Sequence, residues 1–148
     1  MRENDLLDAK LESLERCLHR IREHTPESAQ ALEQDYDAQD IVSVNLQRAI
    51  QICVDLGGHL ISKNGWTAPT TMAETFSSLS EHGVIESALA DPLRRAVGFR
   101  NISVHEYETI DWDRVYRLIT EQLDLFRRFG AALVKADEAD KGTDDGST

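Results

Sequence analysis

A chain of 148 residues suits one domain with one core, and 41% hydrophobic with 29% charged residues argues against both wholesale disorder and a membrane-embedded protein. With 6% aromatic residues, 8 glycines and 3 prolines there is too little turn punctuation for a sandwich or barrel of many short strands, so helices are expected. The formal charge of −11 disfavours general attraction to nucleic acid or anionic membrane. Cys17 and Cys53 stand alone after an N-terminus without an apolar signal segment, so neither a disulfide framework nor export is expected, and the chain is placed in the cytoplasm.

The first helical pattern places Leu7, Leu11, Leu14, Leu18 and Ile21 on one narrow seam and ends near His24, ahead of Pro26. A short helical or irregular stretch follows from Glu27 to Tyr36. The second long pattern runs from Val42 through Leu46, Ile50, Cys53 and Leu60 to Ile61, with Asp37 or Asp40 as N-cap and Asn64-Gly65 as the stop. Gly57 and Gly58 inside it are expected to mark close helix contact, because each costs about 1 kcal/mol relative to alanine. Thr71 and Glu74 form a capping-box pattern that opens a short helix toward Leu79, ended by His82-Gly83.

From Val84 to about Val104 the apolar positions Leu89, Leu93, Ala96, Val97 and Val104 suit a further helix, with a possible break at Asp91-Pro92. After a cap at Asp111, the stripe Trp112, Val115, Tyr116, Ile119, Leu123, Phe126, Gly130 and Leu133 predicts one last long helix. The expected fold is all-α, an antiparallel bundle of four main helices plus a short one, over residues 1–136. Residues 137–148 hold five acids against Lys141 among Gly, Ser and Thr, and read as an acidic disordered tail. Without this tail the body remains acidic, so any polyanion site must be local. Twelve of the 16 basic residues are arginines, which suit forked contact with phosphate.

Nucleotide-hydrolysis loops, dinucleotide fingerprints, HExxH, CxxC and GxSxG motifs are all missing from the sequence, so no metal and no cofactor is expected. Cys17 and Cys53 fall on apolar stripes as packing residues, and His19, His24, His59 and His82 read as surface or capping residues. One segment differs. Arg100, Asn101, His105 and Tyr107 gather a cation, an amide, an imidazole and a phenol within eight residues, shortly after Arg94 and Arg95. On an ideal helix His105 is turned by about 140° from Arg100, so a joint site needs a chain turn near Val104, another helix or a second subunit. The plainer alternative is structural: Arg100 pairs with a carboxylate, Asn101 caps the helix, His105 sits in a turn and Tyr107 packs its ring.

Arg100-Asn101-x-x-x-His105-x-Tyr107 resembles the RNxxxHxY signature of the HEPN superfamily, and the flanking sequence is similar to its HepT toxin branch. The segments from Asp40 to Asp55, Trp66 to Pro69, Phe76 to Leu79, Gly98 to Asn101 and His105 to Asp111 follow the family order, over about residues 5–134. The resemblance implies a HEPN-like homodimer and a toxin of a type II toxin–antitoxin system, encoded beside a minimal nucleotidyltransferase (MNT) antitoxin. It further implies a metal-independent endoribonuclease with Arg100 and His105 as the catalytic pair, Asn101 assisting, and 2',3'-cyclic phosphate products. Tyr107 is implied as the residue that the antitoxin AMPylates, while Arg94 and Arg95 are candidates for RNA contact. RNA and the antitoxin are thus the expected partners, with no membrane and no DNA. A non-catalytic helical partner of a nucleotidyltransferase is the competing reading, favoured by the acidic body; an unrelated four-helix interaction protein explains the seams but not the motif.

Overall fold

The computed structural model describes the backbone of residues 3–146 and the side chains of residues 5–140. Helices are the only regular secondary structure among the described residues. Four of them are long: α1 (Glu3–Glu23), α3 (Tyr36–Lys63), α5 (Ser87–His105) and α7 (Asp124–Gly146). Three short ones connect them: α2 (Ala29–Gln34), α4 (Met72–Glu81) and α6 (Trp112–Glu121), with a single 3-10 turn at Tyr107–Thr109.

Contacts between helices set their directions. Lys10 meets Asp55, so α1 and α3 are antiparallel; Gln47 meets Ser103 and Asp40 meets Tyr107, so α3 and α5 are antiparallel as well. Arg127 grips Glu15 with Nε at 2.6 Å and Nη2 at 2.8 Å, which runs α7 against α1. The four long helices therefore form the expected up-and-down bundle, with α3 at its centre.

The seam of α1 buries Leu14, Leu18 and Ile21, and the helix closes where Thr25 Oγ1 donates to the Ile21 carbonyl ahead of Pro26. Ser28 caps α2 by accepting from the Ala31 amide. The cap of α3 is Asp35, which accepts from the Ala38 amide, rather than Asp37 or Asp40. Buried Gln39 decides this register: its amide donates to the carbonyls of Leu32 and Glu33 at 3.0 and 2.9 Å, tying the end of α2 into the first turn of α3.

Gly65, at φ 69°, closes α3 in the left-handed conformation that a side chain would strain. Trp66 then stacks on His82 with ring centroids 3.8 Å apart. In α4, Thr71 accepts from the Glu74 amide as the capping box requires, but the Glu74 carboxylate reaches Thr70 instead, taking its amide at 2.8 Å and its hydroxyl at 2.7 Å. Gly57 marks a close approach, since a Cβ there would lie 2.7 Å from Thr75 Cγ2. Gly58 faces open space and marks none.

Three expectations of element boundaries change. Asp91-Pro92 does not break α5, because Leu89, Ala90, Leu93, Ala96 and Val97 continue one buried stripe across it. The carbonyl that the proline leaves without its helical donor belongs to exposed Ala88, where water can serve. The last pattern divides at Gln122 (φ −122°, ψ 4°) into α6 and α7. The division lets α6 pack on α2 while α7 lies on α1, α3 and α5, two directions that one straight helix does not serve. Finally, α7 continues past residue 136 to Gly146, with Asp137 paired to Lys63 at 3.6 Å. Of the expected tail, Ser147 and Thr148 lie outside the described residues.

The core is continuous. Phe76 and Phe129, both within 1% exposure, meet edge to face at a centroid distance of 5.4 Å. Cys17 and Cys53 are free and buried, and burial pushes both thiols up, so they act as packing residues.

Candidate active site

Near the middle of α5 stand Arg94 and Arg95, its C-terminal half carries Arg100, Asn101 and His105, and the 3-10 turn that follows begins at Tyr107. Two side-chain bonds from α3 fasten this segment. Gln47 Nε2 donates to the hydroxyl of buried Ser103, and the Tyr107 hydroxyl donates to Asp40 Oδ1 at 2.9 Å. Asp40 and Gln47 are seven residues apart, two turns of one helix face, so α3 presents both from the same side. The Tyr107 ring also meets Trp112 edge to face at 5.9 Å, which joins the turn to the start of α6. Asp111 completes the framework by capping α6 through the Asp113 amide at 3.1 Å.

These contacts set the chemistry of the phenol. Burial and then the Asp40 hydrogen bond push the Tyr107 pKa above the ordinary tyrosine value, against a smaller lowering by the Ser43 hydroxyl. Tyr107 is nonetheless 37% exposed, and its oxygen is held at a fixed position on the surface.

Arg100 is half-buried, and its Nη1 donates to Asn101 Oδ1 at 3.4 Å, so these two neighbours form one polar unit. His105 is the last residue of α5 and is exposed. The helix stays regular through it, closed by the Glu106 amide on the Ile102 carbonyl at 2.7 Å, so no turn at Val104 brings His105 back to Arg100. Helical geometry separates the two by about 7.5 Å of rise and about 140° of rotation. One chain therefore unites Arg100 with Asn101 and Tyr107 with Asp40, but not Arg100 with His105. Arg94 is held 3.8 Å from Asp91 on its own helix, and Arg95 is exposed on α5.

Asp40 and Gln47 are site residues that the sequence pattern leaves unmarked: Asp40 reads as a cap, and both fall within the Asp40–Asp55 segment without a role of their own. The available signal was polar side chains at Asp40, Ser43 and Gln47, on one face of a helix whose other stripe is apolar. Among the described residues no cluster of three or more His, Cys, Asp or Glu could hold a metal ion, and no helix is long and apolar enough to cross a membrane. The remaining histidines behave as expected of surface and capping residues: the rings of His24 and His82 meet the carbonyls of Arg20 and Ser78, and His19 lies 3.1 Å from Glu23.

Residues 14–133 match the family described as HepT-like, Ribonuclease HepT-like. The chain is similar to an mRNA nuclease HepT of Shewanella oneidensis, at 32% identity over 126 residues, covering 85% of this chain and 94% of that protein. It is also similar to a tRNA nuclease HepT of Aphanizomenon flos-aquae, at 26% identity over 137 residues, covering 90% and 93%. Among solved structures, a tri-AMPylated Shewanella oneidensis HEPN toxin in complex with MNT antitoxin superposes with a TM-score of 0.82 at 30% identity, covering 92% of this chain and 99% of that one.

Proposed function

The chain belongs to the HepT-like ribonuclease family, and from that premise we propose that it is the toxin of a HEPN/MNT toxin–antitoxin pair, a cytoplasmic endoribonuclease that its antitoxin silences by AMPylating Tyr107. The carrying observation is the segment from Arg100 to Tyr107, which leaves Asn101, His105 and Tyr107 at the surface beside half-buried Arg100, while Gln47 and Asp40 of α3 hold the side chains of Ser103 and Tyr107.

The chemistry needs no group beyond RNA and protein. The ribose 2'-hydroxyl attacks the adjacent phosphorus, the P–O5' bond breaks, and a 2',3'-cyclic phosphate and a 5'-hydroxyl result. A ring nitrogen of His105 takes the 2'-hydroxyl proton as general base. Arg100 faces the charge that builds on the phosphorane oxygens, with its guanidinium oriented by Asn101. The separation of Arg100 from His105 within one chain supports a homodimer, in which His105 of the partner subunit protonates the leaving O5'. Ile102 and Val104, exposed at 39% and 46% at the end of α5, give such a dimer apolar surface to cover. Arg94 and Arg95 add positive charge along the same helix.

In AMPylation the Tyr107 oxygen bonds to the α-phosphorus of ATP, pyrophosphate leaves, and the phenol loses its proton. The resulting phosphodiester adds negative charge close to the motif and repels the RNA backbone.

Induced expression in bacteria of the wild type beside Arg100→Ala and His105→Ala, with growth and RNA ends followed, tests this reading. Arrest and new cyclic-phosphate ends in the wild type alone are expected. Equal growth and unchanged RNA in all three, with the protein folded and unmodified, would instead favour a non-catalytic partner of a nucleotidyltransferase.

A further inference from the structure

Against a net charge of −11, one surface is locally positive. Between α1 and α3 runs a groove of about 720 Å³ whose charged lining is Lys10, Arg16, Arg20 and Arg48 with Asp40 and Asp55. Both carboxylates are already engaged: Asp55 lies 3.4 Å from Lys10 and also accepts from Gln51, and Asp40 holds the Tyr107 hydroxyl. Arg16, Arg20 and Arg48 make no ion pair with another described residue, although acids are abundant elsewhere on the chain.

Their placement is ordered. Arg16 and Arg20 are one turn apart on α1, roughly 5–6 Å between Cβ atoms, about the interval of consecutive phosphates along an extended strand. Arg48 faces them from α3, and the charges of both Arg16 and Arg48 reach the Cys17 thiol at the groove floor. At one end the groove reaches Asp40, and through it the motif tyrosine.

We infer that the α1–α3 groove, through Arg16, Arg20 and Arg48, binds the phosphodiester backbone of single-stranded RNA and leads it to the Arg100–Tyr107 segment. This rests on the ribonuclease reading and adds where the substrate lies. Among the described residues no aromatic side chain lines the groove, so the contacts there are to the backbone, tolerant of sequence and steep in salt. The acidic remainder of the surface confines the strand to this path.

The test is fluorescence anisotropy of a labelled single-stranded RNA against the His105→Ala protein, which does not cut, over a range of salt, with Tyr107 shown by mass to be unmodified. Arg16→Ala and Arg48→Ala are each expected to weaken binding about tenfold, as for a lost charge-assisted contact, and to flatten the log–log salt slope by about 0.7. Arg117→Ala, the same charge change on α6, is expected to leave both unchanged. The corresponding single variants with His105 intact should cut RNA more slowly in proportion.

If the wild type cuts RNA while the groove variants bind and cut as it does, the groove assignment is overturned and the ribonuclease reading stands. If the wild type neither binds nor cuts RNA, both fall. If the groove variants change only the sedimentation mass, the groove is an interface between copies and the assignment is likewise overturned.

Discussion

The Tyr107 hydroxyl donates to Asp40 across 67 positions of sequence, at 2.9 Å, so that the tyrosine of the motif is held by the first turns of the central helix rather than by its own segment. The bond joins the turn after α5 to α3 and, second to burial, raises the pKa of the phenol. A raised phenol pKa means that the folded state holds its proton more tightly than the unfolded chain does. The associated stability is fully present below the ordinary value, about 10, and is lost as pH rises through the higher folded value. Asp40→Asn removes the carboxylate charge and is expected to lower the titration midpoint of one of the 3 tyrosines. Phenolate absorbance measures this directly, with Tyr107→Phe identifying the tyrosine; an unchanged midpoint would show that Asp40 does not hold the phenol in solution.

The two adjacent glycines of α3 should respond oppositely to alanine. At Gly57 a Cβ would lie 2.7 Å from Thr75 Cγ2 and 2.9 Å from Leu79 Cδ1, both in buried side chains. Overpacking of about 1–3 kcal/mol then exceeds the helix-propensity gain of about 1 kcal/mol, and Gly57→Ala is expected to destabilise the protein. Gly58 has nothing within 4 Å of that position, so Gly58→Ala is expected to stabilise by about 0.4–1 kcal/mol. Urea unfolding of both variants decides the point, and equal effects would contradict the packing described at α4.

Gln47 and Ser103 should behave as a coupled pair. Ser103 is 5% exposed, so Gln47→Ala leaves a buried hydroxyl without its partner, at a cost of about 1–3 kcal/mol. The double variant with Ser103→Ala is expected to lose less than the sum of the single losses. A denaturation double-mutant cycle measures the difference; strict additivity would mean that this bond does not fasten the motif helix.

Much of this arrangement was legible in the sequence. The seam from Leu7 to Ile21, the stripe from Val42 to Ile61 and the stops at Asn64-Gly65 and His82-Gly83 follow from local periodicity and capping. The division at Gln122 was not legible, since neither proline nor glycine marks it and its cause is the need of α6 and α7 to face different neighbours. Pro92 misled in the opposite sense, because buried residues on both sides of it outweigh one lost helical bond. The motif from Arg100 to Tyr107 could be read from its order, but its attachment could not. Asp40 and Gln47 lie 67 and 56 positions from their partners, and no local rule couples such distances.

Tyr107 separates the two roles proposed for the motif. Tyr107→Phe keeps the ring against Trp112 and loses only the hydroxyl, so the fold should survive. Its ribonuclease activity is expected to stay within about threefold of the wild type, a change of less than 1 kcal/mol in the barrier. Incubation with ATP and the nucleotidyltransferase partner is expected to add no AMP to the variant and to leave it active. A folded but inactive variant would place the phenol in the cleavage chemistry instead.

The central claim is tested most directly on purified protein, by sequencing the ends of cleaved RNA in the presence of a chelator for the wild type, Arg100→Ala and His105→Ala. The account predicts that the wild type leaves 2',3'-cyclic phosphates and 5'-hydroxyls with chelator present, and that each variant is slowed by at least about a hundredfold. Products bearing 3'-hydroxyls and 5'-phosphates, or cleavage that persists in both variants, would contradict it.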